Sequence, residues 1–188
     1  MPTCSITYDR VMRLFIAINF DDGVRGDLAA VTDELRRRST KGTFTLPENL
    51  HLTLAFLGDC NPQQYHAAHM VLDQLIFDNF DMRIEGIDRF KSRSGDIWWA
   101  GVRKNDELTN LQKALIRELE YAGFELEKRK FRPHITLGRQ IELKSHVAGG
   151  GLIGISIPQS VRSIQLMQSE RIAERLTYTP LHTCLARE

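Results

Sequence analysis

A tetrapeptide of alternating character occurs twice, as His51-Leu52-Thr53-Leu54 and, 83 residues later, as His134-Ile135-Thr136-Leu137. In an extended strand successive side chains point to opposite faces, so each copy presents His and Thr on one side and two aliphatics on the other. The aliphatic side demands a core; the polar side is left for a cleft or for solvent. Both copies stand in the same context: an apolar strand, an amphipathic helix, then the motif strand followed by a glycine, Gly58 or Gly138. One such tetrapeptide is an ordinary half-buried strand. Two in matching contexts predict two similar lobes about a pseudo-twofold, with both motifs facing one cleft.

The remaining patterning reads as α+β: antiparallel sheet with outer helices. Arg13 to Phe20 is a strand, and Asp21 or Asp22 caps a helix to about Arg38 with Val24, Leu28, Val31 and Leu35 on its apolar face. Phe44–Leu46 and Leu50–Leu57 read as strands around Pro47-Glu48-Asn49. Asn61-Pro62 opens a second helix, whose core stripe is Ala67, Val71, Leu72 and Leu75. Strands at Phe80–Phe90 and Ile97–Val102 precede a third helix, about Asp106 to Tyr121, which carries Leu108, Leu111, Leu115 and Leu119 and stops at Gly123. Strands are expected at Phe131–Leu137, Val161–Met167 and Thr177–Leu181, with a glycine-rich loop at 148–151 that includes Gly149 to Gly151. No linker divides the chain. Residues 12–188 are therefore expected to form a single bilobal domain, and residues 1–11, unlike the rest, an N-terminal extension.

Composition narrows the function classes. Of the 188 residues 42% are hydrophobic and 26% charged, which excludes a disordered, collagenous or coiled-coil chain. The formal charge is only +1, so an anion site must be local. One candidate is the acid-free stretch 128–139, holding Lys128, Arg129, Lys130, Arg132 and Arg139. Lys128 and Lys130 read as a solvated turn, whereas Arg139, in the motif strand, suits a phosphate or base contact. No apolar run approaches the roughly 20 residues that span a bilayer, so no membrane association is expected. Leu14 to Phe20 is interrupted by Asn19, meets Asp21-Asp22 and lacks a small-residue cleavage site, which makes it a strand rather than a signal peptide. Cys4, Cys60 and Cys184 form neither a metal knuckle nor a disulfide framework and favour a reducing, cytoplasmic compartment.

Two imidazoles across a cleft suit a reaction that needs a base on one side and an acid on the other. Phosphodiester hydrolysis fits: one histidine deprotonates water, the other protonates the leaving alkoxide, and the threonine hydroxyls donate to phosphoryl oxygens. A non-catalytic RNA- or nucleotide-binding module is the alternative from another class, disfavoured because binding alone does not need two titratable groups. His66 and His69 lack a third ligand and read as a solvated helix face, so no metal is expected. His146 and His182 carry no motif. Trp98 and Trp99 occupy opposite strand faces, one for the core and the other for the cleft border. There is no G-x-S-x-G elbow, P-loop, G-x-G-x-x-G or EF-hand pattern, so ATP-dependent ligation is not expected.

Longer blocks around the motifs, NLHLTLAFLGD at 49–59, WWAGV at 98–102, FRPHITLGR at 131–139 and YTPL at 178–181, resemble the two-histidine (2H) phosphoesterase superfamily. The similarity is greatest to the RNA 2′,3′-cyclic phosphodiesterases, also called 2′-5′ RNA ligases. The resemblance implies metal-independent opening of RNA 2′,3′-cyclic phosphate ends to the 2′-phosphate, with no cofactor and with reversible 2′-5′ joining as the reverse chemistry. It implies His51 as general acid, His134 as the base that activates water, Thr53 and Thr136 as phosphate ligands, Arg139 as a substrate contact and Phe56 as a stacking ring. The expected partners are RNA ends or nucleotides carrying the cyclic phosphate, bound by a monomer. Small cyclic nucleotides and 2′-5′ oligoadenylates remain alternative substrates.

Overall fold

The computed structural model describes residues 11–144 and 154–187. Residues 1–10 of the expected extension and the Gly149–Gly151 loop lie outside the described residues, as do Cys4 and His146. In chain order the elements are β1 (Met12–Asn19), α1 (Asp22–Arg37), β2 (Ser39–Phe44), a 3₁₀ turn (Pro47–Asn49), β3 (His51–Cys60), α2 (Pro62–Gln74), β4 (Phe80–Phe90) and β5 (Asp96–Val102). They continue with α3 (Asp106–Tyr121), β6 (His134–Leu143), β7 (Ser156–Val161), β8 (Ser163–Ile172) and β9 (Arg175–Leu185). Two antiparallel sheets result, one in the order β3-β1-β8-β9 and the other β2-β6-β5-β4-β7. This is the expected α+β architecture.

Each helix starts at a side-chain cap that satisfies an otherwise unpaired backbone N–H. Asp21 accepts from Val24 N at 2.9 Å, Asn61 and Gln64 form a reciprocal capping box, and Asn105 accepts from Leu108 N at 2.6 Å. The helix α3 buries Leu108, Leu111, Leu115 and Leu119, the expected stripe. In α1 the fourth buried position is Thr32 rather than Val31; its hydroxyl donates to Leu28 O at 2.9 Å, which removes the penalty for burying it. In α2 Ala68 is buried and Ala67 only partly so.

The helices do not stay with the strands that precede them. α1 follows β1 yet packs on β2, β6 and β7 of the five-stranded sheet, while α2 packs on all four strands of the other sheet and α3 on β3 and α2. Core residues of both sheets, such as Ile16 and Ile135, consequently join one apolar cluster. The two repeats share their core.

Three strand expectations need correction. The strand expected at Phe44–Leu46 is Ser39–Phe44: a polar segment made extended by pairing with the edge of β6, Thr43 opposite Arg139 and Phe44 opposite Gly138. The strand expected from Phe131 begins only at His134, after Pro133, whose nitrogen has no proton to give a ladder. The strand expected at Val161–Met167 is the end of β7 and the start of β8. β8 and β9 then form a long hairpin, with Ala173 (φ 47°) and Glu174 (φ 63°) both left-handed in its two-residue turn. Such turns favour Gly and Asn, so Ala-Glu concealed it. Among the described residues no helix is long and apolar enough to cross a membrane.

Candidate active site

The motif strands occupy equivalent places, each antiparallel to the first strand of its own repeat: Asn19 lies opposite His51 in β1–β3, and Gly101 opposite His134 in β5–β6. Leu52, Leu54, Ile135 and Leu137 are buried, and the histidines and threonines turn the other way into a cavity of about 720 Å³.

Both motif strands also carry the same irregularity. Ile16 and Ala17 pair with Ala55 and Thr53, skipping Leu54; Trp98 and Trp99 pair with Gly138 and Thr136, skipping Leu137. The extra residue reverses the alternation, which is how a bulge re-aims the side chains beyond it. Without it Phe56 would share the face of Leu52 and Leu54. With it Phe56 joins His51 and Thr53 in the cleft, and Arg139 joins His134 and Thr136. Phe56 and Arg139 are thus equivalent positions, each five residues beyond its histidine. The Phe56 ring is 50% exposed, with the Arg13 guanidinium over it at 5.0 Å.

The two imidazoles are oriented alike. His51 Nδ1 donates to Asn49 O at 2.8 Å and His134 Nδ1 donates to Arg132 O at 2.7 Å, each a backbone carbonyl two residues upstream. A carbonyl can only accept, so the proton is fixed on Nδ1 and each Nε2 is the atom free for chemistry. His51 Nε2 lies 3.0 Å from Thr53 Oγ1. Its ring is held by Phe15 (centroids 4.9 Å) and the edge of Tyr178 (5.1 Å). His134 is flanked by Phe90 (5.4 Å) and Trp99 (6.0 Å), while Trp98 belongs to the core cluster, as expected for adjacent residues on opposite faces.

Burial lowers the His51 pKa, and the neighbouring His134 and Arg139 act in the same direction; the Asn49 carbonyl opposes them. Burial raises Tyr178, against the pull of Arg139 and Arg13, so this phenol stays protonated near neutrality. The cleft lining holds four arginines, Arg13, Arg139, Arg171 and Arg175, and no carboxylate among the described residues. This is the local anion field that a nearly neutral protein requires.

All six expected residues, His51, Thr53, Phe56, His134, Thr136 and Arg139, therefore meet in one cleft. The basic stretch before Arg139 does not follow them: Arg129 pairs with Glu127, and Arg132 stacks over Phe90 and Trp99. The other three cleft cations come from β1 and the β8–β9 hairpin, where sequence reasoning found no site. Arg13 and Phe15 could have been noticed from their alternation in β1; Arg171, Arg175 and Tyr178 carry no local signal. His69, read with His66 as a solvated helix face, and His182, which carries no motif, meet each other in the fold. They stack on one another at 3.7 Å where α2 packs on β9, outside the catalytic cleft.

Two Nε2 atoms converging on an anion pocket from pseudo-symmetric strands define a two-histidine phosphoesterase. Comparison with known proteins gives the family. The 2′-5′ RNA ligase superfamily model matches residues 24–148. The RNA 2′,3′-cyclic phosphodiesterase of Thermotoga maritima is 37% identical over 131 residues, which is 68% of this chain and 70% of that protein. The enzyme of the same name from Archaeoglobus fulgidus is 34% identical over 129 residues, 68% of this chain and 72% of its own. The crystal structure of E. coli LigT in apo form has the same fold, with a TM-score of 0.79 over 95% of this chain and 99% of LigT at 23% identity. The chain belongs to the 2′-5′ RNA ligase superfamily.

Proposed function

We propose that this protein hydrolyses RNA 2′,3′-cyclic phosphate ends to the 2′-phosphate, by a two-histidine acid/base mechanism in which no step needs a metal ion. The observation that carries the reading is the matched pair of Nδ1–H···O=C bonds, which leaves both Nε2 atoms facing the same arginine-lined cavity. His134 Nε2 takes a proton from water, the resulting hydroxide attacks phosphorus, and the P–O3′ bond breaks. His51 Nε2–H protonates the departing 3′ oxygen, so that one water is consumed and a 2′-monoester and a 3′-hydroxyl are formed. The Thr53 and Thr136 hydroxyls donate to the non-bridging oxygens as charge develops there. Arg139 supplies a charge-assisted bond, and Phe56 a face for a base.

Burial of His51 supports its assignment as the acid. An imidazolium whose pKa is lowered is the stronger proton donor, and a bound anionic phosphate restores its proton. An RNA 5′-hydroxyl that takes the place of water, giving its proton to His134 and attacking phosphorus as the same P–O3′ bond breaks, gives a 2′-5′ joint and a 3′-hydroxyl; the reverse of that step cleaves the joint. Residues 12–188 act as one bilobal unit, consistent with the shared core, and as a monomer. The buried free thiols of Cys60 and Cys184 fit a reducing cytoplasm.

The test is hydrolysis of nucleoside 2′,3′-cyclic phosphates in excess chelator, with the product isomer identified. The expected result is the 2′-phosphate at an unchanged rate. Loss of turnover in chelator, restored by divalent metal, would overturn the mechanism, and exclusive 3′-phosphate would reverse the orientation of the substrate between the histidines.

A further inference from the structure

We propose that His69, Asp73 and His182 form a site for a divalent transition-metal ion of the zinc type, clipping α2 to β9 outside the catalytic cleft. His69 and Asp73 are four residues apart on α2, which stacks their side chains on one face. The strand β9 brings His182 against them from more than a hundred residues away. His69 Nδ1 is 3.1 Å from Asp73 Oδ2, His182 Nε2 is 2.8 Å from Asp73 Oδ1, and the three groups offer ligand atoms all within 4.8 Å of one another. The imidazole rings are stacked, 29° from parallel.

A shared proton would explain such proximity if the contacts were aligned hydrogen bonds. They are not at His182. Its Nε2 is sealed from solvent and has no hydrogen-bond partner, although a carboxylate oxygen is only 2.8 Å away: the oxygen lies off the line that an N–H···O bond requires. An ion on the nitrogen lone pair satisfies that atom and the carboxylate together.

Two imidazoles and a carboxylate are a zinc donor set. Donors at about 2.0–2.2 Å from a tetrahedral ion lie roughly 3.3–3.6 Å apart, a few tenths of an ångström beyond the two histidine–carboxylate separations present, so that small side-chain adjustments admit the ion. The half-exposed Asp73 leaves a fourth position open to water. Imidazole donors argue against calcium and magnesium, which select oxygen. The consequence is structural. β9 also carries Tyr178 and Arg175 to the cleft, and an ion between α2 and His182 ties this strand to the helix behind it.

The experiment uses the full chain, stripped with chelator and titrated with Zn²⁺ alone. One ion per chain should bind and raise the Tm by about 5–10 °C at a hundredfold excess over Kd. Co²⁺ should give the intense visible bands of tetrahedral coordination. His69→Gln and His182→Gln should each weaken binding by about a hundredfold. A His51→Ala/His134→Ala variant should bind as the unaltered protein does, because the replaced histidines belong to the catalytic cleft and not to this cluster. The proposal is overturned by absence of saturable Zn²⁺ binding to the unaltered chain, by binding that survives both glutamine variants, or by binding lost with the cleft histidines.

Discussion

Truncating the two cleft histidines, singly and together, addresses the proposed chemistry most directly. A positioned general acid or base contributes about 10²–10⁴-fold, equivalent to about 2.7–5.5 kcal/mol of barrier at 1.36 kcal/mol per decade. The structure selects the upper part of that range. Each imidazole reaches the cavity through Nε2 alone, and the other titratable groups lining it are arginines and Tyr178, whose raised pKa leaves it protonated, hence no base near neutrality, and a far weaker proton donor than an imidazolium. With no group to stand in, His51→Ala and His134→Ala should each lower kcat by about 10³–10⁴-fold. The double variant should lose far less than the product of the two, since both residues act in one transition state.

Folding should survive, because Leu52, Leu54, Ile135 and Leu137 carry the strand packing and are retained; circular dichroism and a thermal melt check this. The assay is initial-rate hydrolysis of a nucleoside cyclic phosphate across pH 5–9, with NMR titration of the His51 ring. As the acid, His51 must hold a proton, so its limb is the one on which activity falls as pH rises. Because burial lowers its pKa, that limb of kcat/KM should lie below the ordinary histidine value of about 6.5, and bound phosphate should move it upward in kcat. The limbs belong to the coupled pair, which is why the ring itself is followed. Near-wild-type turnover in either folded single variant refutes the acid/base roles. A lowered His51 value controlling the rising acid limb instead would exchange them.

Arg139→Ala should raise KM and flatten the salt dependence of kcat/KM, as one cation facing a phosphate is lost; unchanged salt dependence would place that cation away from the anion. Phe56→Ala should raise KM by about 5- to 150-fold, the equivalent of 1–3 kcal/mol of base stacking, with little change in Tm because half the ring is already exposed; an unchanged KM removes the stacking role. In Gly138→Ala the new methyl would meet Ile141 Cδ1 at 2.7 Å and the Thr43 carbonyl oxygen at 3.0 Å. A loss of about 1–3 kcal/mol in urea unfolding is expected from that overpacking, together with reduced activity because the displaced strand carries Arg139.

Much of this protein was readable as sequence. Alternation alone gave His51 and Thr53 a face separate from Leu52 and Leu54, periodicity gave the stripe of α3, and duplication of the motif implied one shared cleft. These are local signals, since a strand or helix face is set by spacing along the chain. Other features depend on which strand lies beside which. The bulges at Leu54 and Leu137 exist only in the pairing with β1 and β5, yet they decide that Phe56 and Arg139 face the cleft rather than the core. β2 is polar and extended only because β6 offers it an edge. Arg171, Arg175 and Tyr178 reach the cleft only because the β8–β9 hairpin folds beside β1, and His182 meets His69 only because α2 lies across β9. Sequence determined the two faces of each regular segment, up to the point where a bulge reverses them, and which chemistry the repeats could carry. The tertiary structure decided the company each side chain keeps, because contacts between distant segments are set by sheet order and register, which no local pattern encodes.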